Sequence, residues 1–400
     1  MSSEDIYIKK RKRQAFRLSV LFLMMRLLPV RPNKIVFATF EGDGGFGCNP
    51  RYIAEELHRR KNDIEMVWLT HDPNRVFPPY IRAVKDSELA EAFHLATAKV
   101  WVDNYRKPLG TLKRKGQFYL QTWHASIGFK AVGLFRGERF PKIARLVSEW
   151  DSNLIDYVLS NSDYCDKIYP KKLLYDGPTL RTGSPRCDCI INNREQLREI
   201  VRRRYQIKQA KRILLYAPTF RGGTQREEKS VEVEAPSLDY QSIKSALEMR
   251  FGGEWVFFLR LHPQIASVFK DVSTEKKNEL LIDVSQADDM SELIAASDML
   301  ITDYSSCAFD AAFCGIPALL YAGDLKSYVV QRGEMMWEKE ELPFTIAESN
   351  DALILNIKEF DERLYEEHVK EFMKKQGIIE DGHASERVVD IIEEWIADED

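Results

Sequence analysis

The sequence predicts an α/β fold built from two doubly wound parallel sheets that face each other across a cleft. The chain has 400 residues, a length that suits two domains better than one. Short runs of β-branched and aromatic residues alternate with helical segments, and this alternation is typical of parallel βαβ units. The alternation forms two series that join near residue 190. Each series therefore predicts one sheet.

The individual elements follow from this alternation. The first series predicts strands at residues 34–40, 65–69, 99–102, 118–122 and 157–160. The second series predicts strands at residues 212–216, 255–261, 280–284, 299–302 and 318–321. Helices are predicted at residues 51–61, 194–204 and 384–396. We expect an N-terminal domain at residues 32–190, a C-terminal domain at 191–375, and a helix within 376–400 that packs back on the domains.

The composition narrows the class of protein. With 58 Lys and Arg against 62 Asp and Glu, the net charge of −4 argues against a polycation that coats nucleic acid. Basic stretches interleaved with aromatic residues are not evident, so we expect no nucleic-acid partner. Hydrophobic residues make up 44% of the chain, enough to build sizeable cores. Six irregularly spaced cysteines predict no disulfide framework and favour a reducing compartment.

The N-terminal segment, residues 1–31, predicts a basic amphipathic helix. Residues 9–13 are all basic, and residues 18–25 form an apolar run broken only by Ser19. This run is far shorter than the ~20 residues that cross a bilayer, and no small-residue cleavage site follows it. Two interpretations stay open: the helix lies at an anionic membrane surface, or it packs its apolar face on the first domain.

Polar residues follow the predicted strands at one edge of each sheet, where ligands of open parallel sheets bind. His124 follows the strand at 118–122, and His262 follows the strand at 255–261 beside Arg260. We interpret one imidazole as a proton acceptor for an attacking hydroxyl and the other as a hydrogen-bond donor to a phosphate or leaving group. An ordinary structural histidine at a strand end is the alternative for either residue. The remaining five histidines, His58, His71, His94, His368 and His383, are interpreted as surface or structural residues.

The turn at residues 303–306 predicts a site for an anion. Ser305 and Ser306 follow the strand at 299–302 and precede a helix, where backbone N–H groups and the helix dipole favour negative charge. The alternative is that Ser305 only caps the helix, and capping and anion binding can occur together.

Several familiar motifs are excluded. The glycine-rich loop at residues 42–47 is not a dinucleotide fingerprint, and no Lys-Ser/Thr pair follows it. Cys187 and Cys189 lack a second pair of metal-ligating residues, and no acidic metal-binding cluster is evident. No Gly-x-Ser-x-Gly motif is present.

Taken in order, the motifs resemble the CDP-glycerol glycerophosphotransferase family, the teichoic-acid and capsule poly(alditol phosphate) transferases. Residues 216–221 read Tyr-Ala-Pro-Thr-Phe-Arg, residues 262–263 read His-Pro, and residues 297–306 read Ser-Asp-Met-Leu-Ile-Thr-Asp-Tyr-Ser-Ser. Trp123-His124, Asn49-Pro50 and the Gly-Ser-Pro-Arg turn at 183–186 continue the resemblance in the first half. Departures, such as Ala125 where glycine is common, lie mostly on the expected acceptor side.

The resemblance implies a GT-B arrangement of two Rossmann-like domains and a transferase that uses a CDP-alditol. It implies that His124 is the general base and that His262 hydrogen-bonds the pyrophosphate. The implied donor-binding residues are Thr219, Arg221, Arg260, Asp303, Tyr304, Ser305 and Ser306. The implied acceptor-side residues are Asn49, Trp123 and Lys130.

The resemblance also implies the surroundings of the enzyme. We expect CDP-glycerol or CDP-ribitol as donor, a lipid-linked glycan or polymer as acceptor, and a peripheral location at the cytoplasmic face of an anionic membrane. No metal or other cofactor is required, because arginine, histidine and a helix N-terminus can stabilise the phosphates. Two rivals stay open: a GT-B glycosyltransferase that uses a nucleotide-sugar, and a non-catalytic scaffold that binds nucleotide or polymer.

Overall fold

The computed structural model describes residues 3–60, 63–219, 238–261, 280–332 and 334–397. The chain divides into two compact units. The first unit comprises the described parts of residues 1–126, 131–188 and 377–400. The second comprises the described parts of residues 127–130 and 189–376. Each unit contains one parallel sheet, so the predicted α/β fold with two parallel sheets is confirmed.

The sheet of the first unit has seven parallel strands in the order β3-β2-β1-β4-β5-β6-β7. They are β1 (Arg31–Ala38), β2 (Glu65–Thr70), β3 (Ile81–Lys85), β4 (Ala98–Asp103), β5 (Phe118–Gln121), β6 (Tyr157–Ser160) and β7 (Thr179–Arg181). The strand order reverses at β1, whose neighbours are β2 and β4. A crevice for ligands forms outside the carboxyl ends of the strands at such a point.

The helices of the first unit cover both faces of this sheet. They are α1 (Ser3–Met25), α2 (Cys48–Arg60), α3 (Glu88–Ala96), α4 (Lys142–Ser152), α5 (Asp163–Lys172), α6 (Pro185–Asn192), which runs into the second unit, and the C-terminal α14 (Ala384–Ala397). Two short 3-10 helices, Phe40–Gly42 and Gly133–Arg139, complete the set. Val388, Val389 and Ile392 of α14 are fully buried in the core of this unit, where Trp395 stacks on Phe118 at 4.8 Å between ring centroids.

The N-terminal helix α1 packs against the first unit along one face. Leu18 and Phe22 are buried, and Arg17 forms a salt bridge with Glu88 of α3 at 2.8 Å. Gly110 permits the close approach of Ala15, because a Cβ atom at position 110 would lie 2.2 Å from the Ala15 carbonyl oxygen. The opposite face of α1 exposes several large apolar side chains, those of Phe16, Val20, Leu23 and Met24. Within the described ranges, no helix is both long and apolar enough to cross a membrane.

The sheet of the second unit has six parallel strands in the order β10-β9-β8-β11-β12-β13. They are β8 (Lys211–Ala217), β9 (Glu254–Leu259), β10 (Leu281–Asp283), β11 (Met299–Thr302), β12 (Ala318–Tyr321) and β13 (Ile346–Ala347). The strand order reverses at β8, which lies between β9 and β11. The carboxyl ends of β8 and β11 therefore form the equivalent ligand crevice of this unit.

The described helices of the second unit are α7 (Arg194–Arg204), α8 (Tyr240–Phe251), α9 (Met290–Ala296), α10 (Cys307–Phe313), α11 (Leu325–Arg332), α12 (Asn350–Lys358) and α13 (Glu362–Gln376), with the 3-10 helix Lys339–Glu341. The short segment 127–130 also packs here. The ring of Phe129 stacks on that of Phe309 at 4.7 Å, and the backbone of Lys130 pairs with that of Met335.

Three strands, β3, β7 and β13, were not among those that the sequence pattern predicted. All three lie at a sheet edge. They have only five, three and two residues. Edge strands this short bury little apolar surface, so they lack the sustained hydrophobic run that marks a central strand of a parallel sheet.

Candidate active site

The strand-order reversal in the first unit is closed by an unusual turn. After β1, Phe40 and Glu41 adopt left-handed backbone conformations with φ of 49° and 57°, which costs energy for residues other than glycine. The backbone N–H of Phe40 donates to Oδ1 of Asn104, which follows β4, at 2.8 Å. The neighbouring strands β1 and β4 are therefore joined at their carboxyl ends by one side chain.

His124 lies at the same edge, in the loop after β5. Its Nδ1 atom lies 2.9 Å from the backbone carbonyl oxygen of Asn104. Because a carbonyl oxygen only accepts hydrogen bonds, Nδ1 carries a proton, and Nε2 is the nitrogen that can accept one in the neutral ring. The hydrogen bond thus selects the tautomer that a general base needs.

Aromatic rings surround the imidazole of His124. The ring of Trp123 stacks on it at 4.7 Å, that of Tyr105 lies parallel at 5.7 Å, and that of Phe40 is tilted at 5.3 Å. These contacts and the Asn104 carbonyl restrict the orientation of the ring. The sequence singled out Trp123 and His124, and the structure brings them together.

The side chain of Asn49 holds the backbone of this loop. Its amide nitrogen donates to the carbonyl oxygens of Thr122 at 3.2 Å and Trp123 at 3.0 Å, and its Oδ1 accepts from the N–H of Arg186 at 3.1 Å. Only 1% of Asn49 is exposed, so its polar atoms are engaged with backbone. Trp123 has a φ of 48°, and these hydrogen bonds hold that strained backbone in place.

Charged residues line the carboxyl ends of β2, β3 and β4. His71 follows β2, and its Nδ1 lies 2.8 Å from a carboxylate oxygen of Asp43. Burial raises the pKa of Asp86 after β3 and of Asp103 at the end of β4, although Lys107 forms a salt bridge with Asp103 at 2.6 Å. The sequence interpretation of His71 as a surface or structural residue did not anticipate this contact, although His71 comes just after a predicted strand.

The second unit positions its motif residues around Asp303, at the end of β11. The Asp303 carboxylate accepts the N–H of Thr219, after β8, at 2.9 and 3.0 Å and the N–H of Tyr304 at 2.6 Å. Nearby, the hydroxyl of Thr302 donates to the Ala217 carbonyl at 2.6 Å. Asp303 is 3% exposed. Its charge therefore organises the loops at the strand-order reversal.

The next three residues, Tyr304, Ser305 and Ser306, lie at the same carboxyl end of β11. The Tyr304 ring stacks on that of Tyr328 at 3.8 Å, and its hydroxyl donates to Asp324 at 3.0 Å. Ser305 and Ser306 are half-buried just before α10. The Ser305 hydroxyl accepts the N–H of Cys307 at 3.5 Å, which is a long, weak contact.

Arg260 does not face only solvent, because its guanidinium binds backbone carbonyl oxygens. It follows β9, and its Nη1 atom donates to the carbonyl oxygens of Val284 at 3.3 Å, Ser285 at 2.8 Å and, closest of all, Ala287. The guanidinium thus ties β9 to the loop after β10.

The other predicted site residues have different surroundings. Lys130 is exposed and belongs to the second unit, although its sequence position suggested the acceptor side of the first. His262 and Arg221 lie outside the described residues. Across the part of the chain that the structure describes, no group of three or more His, Cys, Asp or Glu side chains is placed to hold a metal ion.

Known proteins share this sequence pattern and fold. Residues 20–394 match the family CDP-Glycerol:Poly(glycerophosphate) glycerophosphotransferase. The chain is 29% identical, over 93% of its length, to the teichoic acid poly(glycerol phosphate) polymerase of Bacillus subtilis (strain 168), of which it spans 50%. It is also 29% identical to the teichoic acid glycerol-phosphate transferase of Staphylococcus aureus (strain NCTC 8325 / PS 47), over 93% of this chain and 96% of that protein.

A solved structure agrees with these relatives. The wall teichoic acid polymerase TagF is 25% identical, with a TM-score of 0.79 over 98% of both chains. The family match covers most of the chain and is a family of transferases, so both the resemblance and the class of enzyme predicted from the sequence are confirmed. The chain belongs to the CDP-Glycerol:Poly(glycerophosphate) glycerophosphotransferase family.

Proposed function

We propose that this chain transfers glycerol phosphate or ribitol phosphate from a CDP-alditol to a hydroxyl of a glycan or poly(alditol phosphate) acceptor and releases CMP. The observation that carries the proposal is the geometry of His124, whose Nδ1–H donates to the Asn104 carbonyl and whose Nε2 is the proton acceptor of the ring. The names of the relatives, which include a glycerol-phosphate transferase and a ribitol-phosphate primase, support the class of group transferred.

The proposed reaction is a single displacement at phosphorus. Nε2 of His124 removes the proton from the acceptor hydroxyl as its oxygen forms a bond to the alditol-bearing phosphorus. The bond between that phosphorus and the bridging oxygen breaks, and CMP leaves with the bonding electron pair. His262 hydrogen-bonds the pyrophosphate and assists the departure of CMP.

The second unit is the proposed donor side. The backbone N–H groups of Thr219 and Tyr304 are held by Asp303, and we propose that side-chain donors stabilise the phosphates. We assign this role to the hydroxyls of Thr219, Ser305 and Ser306 and to the cations of Arg221 and Arg260, with Tyr304 as a packing contact. These groups supply positive charge and hydrogen bonds to the developing charge. We propose that no metal or other cofactor is needed.

The first unit is the proposed acceptor side of a GT-B-type enzyme. Trp123 and the rings around His124 offer flat apolar surfaces to a polyol or sugar, and Asn49 keeps their backbone in place. Lys130 is proposed to attract the phosphates of the acceptor. Exposed carboxylates such as that of Asp43 suit the hydroxyl groups of such a ligand.

Helix α1 is proposed to bind an anionic membrane surface, at the cytoplasmic face, where a lipid-linked acceptor would be presented. Four basic residues are exposed on its N-terminal half: Lys9, Lys10, Lys12 and Arg13. Leu23 is exposed near its C-terminal end, and Leu27 is exposed just beyond that end. Basic side chains attract anionic lipids, at about 1 kcal/mol each, and apolar side chains enter the boundary between headgroups and acyl chains.

The decisive experiment measures release of CMP or other nucleotide from CDP-glycerol, CDP-ribitol, UDP-sugars and GDP-sugars with a lipid-linked acceptor. We expect turnover with a CDP-alditol only. His124→Ala and His262→Ala should each lower that turnover by about 10²-fold or more, the scale of a lost acid–base group. The exposed His368→Ala serves as the matched control and should be unchanged.

Other outcomes would replace the proposal. Turnover of nucleotide-sugars would make the protein a glycosyltransferase. Tight CDP-glycerol binding without release of CMP would make it a scaffold. Normal turnover in both histidine variants would reject the proposed roles of the two imidazoles.

The membrane proposal has its own test. The double variant Leu23→Glu/Leu27→Glu should weaken flotation with vesicles of anionic phospholipid by about tenfold or more, since two apolar side chains that enter the interface are lost. Leu355→Glu/Leu364→Glu is the control, because these two leucines are also exposed, at 51% and 49%, but lie in the second unit. Equal flotation of the two double variants would overturn the proposal.

A further inference from the structure

A buried lysine holds the backbone directly after His124. Lys172 is the last residue of α5, and its ammonium donates to the carbonyl oxygens of Ala125 and Ser126, each at 2.6 Å. Its exposure is 5%. Burial of a charged group is costly unless the group is hydrogen-bonded, so an uncharged residue would be expected here if only packing were at stake.

The two carbonyls that bind Lys172 lie directly after His124 in the chain. Asn49 binds the carbonyls of Thr122 and Trp123, just before His124, and Lys172 binds the two carbonyls just after it. The backbone on both sides of the imidazole is therefore fixed by side chains from α2 and α5. A base must be placed to within a fraction of an ångström of the proton that it removes.

We propose that Lys172 is a positioning residue for the reaction, which acts by clamping the His124 loop through the carbonyls of Ala125 and Ser126. This inference rests on the proposed role of His124 as the general base. It gives a function to a buried cation that neither the fold nor the donor chemistry requires.

The surroundings of Lys172 make the clamp sensitive to pH. Burial lowers the pKa of its ammonium to about 8, the thiol of Cys165 on α5 raises it, and the cation of Arg186 on α6 lowers it. Tyr169 of α5 places its ring 5.9 Å from the ammonium, and burial raises the pKa of the Cys165 thiol. Gly133 packs against the Lys172 backbone carbonyl.

A neutral amine holds carbonyl oxygens less strongly than an ammonium does. Turnover of the wild-type chain should therefore decline as the pH rises through about 8. An arginine at the same position stays protonated throughout this range. A merely structural lysine would not produce an alkaline decline that arginine removes.

The first measurement is kcat for CMP release from CDP-glycerol between about pH 6.5 and 9.5. Lys172→Met should lower kcat about tenfold or more at neutral pH and change KM for CDP-glycerol less than about twofold. Lys172→Arg should recover most of the loss and abolish the alkaline decline. Lys167→Met, an exposed lysine on the same helix, is the matched control and should behave as wild type.

The second measurement does not depend on activity. The full chain is labelled with 5-fluorotryptophan, and the fluorine resonance of Trp123 is identified by its loss in Trp123→Phe. In the wild type this resonance should shift with a midpoint near the Lys172 pKa of about 8, and in Lys172→Arg it should not shift. Circular dichroism confirms that each variant is folded.

Two results would overturn the inference: an unshifted Trp123 resonance in the wild type across this pH range, or normal kcat in a folded Lys172→Met. Failure of the proposed function looks different. In that case the wild type releases no CMP at any pH, while the Trp123 resonance still reports whether Lys172 holds the loop.

Discussion

At the carboxyl edge of each sheet, buried side chains fix a backbone loop. They do so as hydrogen-bond donors in the first unit and as a hydrogen-bond acceptor in the second. In the first unit, Asn49 and Lys172 donate hydrogen bonds to backbone carbonyls of the His124 loop. In the second unit, Asp303 accepts hydrogen bonds from the backbone N–H groups of Thr219 and Tyr304. In both, buried polar side chains at the carboxyl edge of the sheet fix a loop that would otherwise carry unpaired backbone groups.

The difference in polarity has a chemical consequence. The backbone carbonyls of the first loop bind Asn49 and Lys172, and the same loop carries the imidazole of His124, which can accept a proton. In the second loop, backbone N–H groups donate to Asp303, and hydroxyl and cationic side chains are the groups that we propose for an anionic ligand. Under the proposed function, the first edge would receive a proton at His124 and the second would bind the negative charge of the donor.

The largest expected effect on ligand binding comes from removing the carboxylate of Asp303, the hydrogen-bond acceptor in the second unit. Asp303→Ala leaves the N–H groups of Thr219 and Tyr304 without their carboxylate, and hydrogen bonds to charged groups are worth about 1.5–3 kcal/mol. We expect CDP-glycerol affinity, measured by calorimetry, to fall about 10- to 100-fold. Asp351→Ala, an exposed aspartate of the same unit, should leave affinity unchanged. Affinity within about twofold of wild type in folded Asp303→Ala would refute the organising role of Asp303.

The corresponding change in the first unit should act on stability as well as on turnover. Asn49→Leu keeps the volume but leaves the carbonyls of Thr122 and Trp123 and the N–H of Arg186 unpaired. Since an unsatisfied buried group costs about 1–3 kcal/mol, we expect the free energy of unfolding in urea to fall by about 3 kcal/mol. The exposed Asn74→Leu is the control. An unchanged unfolding free energy for Asn49→Leu would show that water or rearranged backbone replaces these hydrogen bonds.

A smaller effect comes from a carboxylate of the first unit that resembles Asp303. Glu380 accepts the N–H of Ser184 at 3.0 Å and the amide of Asn161 at 2.8 Å, and burial raises its pKa to about 7. The folded chain therefore binds a proton that the unfolded chain has already lost. Stability should fall as the pH rises from about 4.5 to about 7, by at most about 3 kcal/mol, and then level off.

This pH dependence is checked by urea unfolding of wild type and Glu380→Gln at several pH values. The variant should lack the part of the slope that Glu380 supplies, while Glu394→Gln, an exposed glutamate of the same unit, should keep it. Parallel curves for wild type and Glu380→Gln would mean that this carboxyl group titrates equally in the folded and unfolded chains.

Much of the candidate site was accessible from the sequence because strand ends are visible in it. His124 and Asp303 each follow a predicted central strand, and the rule that ligands bind at carboxyl ends of parallel strands singles out both. Lys172 and Asn104 were not found. Lys172 ends a helix in a run of lysines and resembles an exposed residue, and Asn104 acts partly through its backbone carbonyl, which no residue type reveals.

The sequence by itself determined the α/β class, the two parallel sheets and the residues that stand at their central strand ends, because hydrophobic periodicity and strand punctuation are local properties. Only the tertiary structure decided which nitrogen of His124 carries the proton, that Asp303 binds backbone rather than solvent, and that Lys172 reaches the loop 47 residues earlier. Such hydrogen bonds depend on the packing of elements far apart in the chain, and the local pattern of neither partner encodes the distance between them.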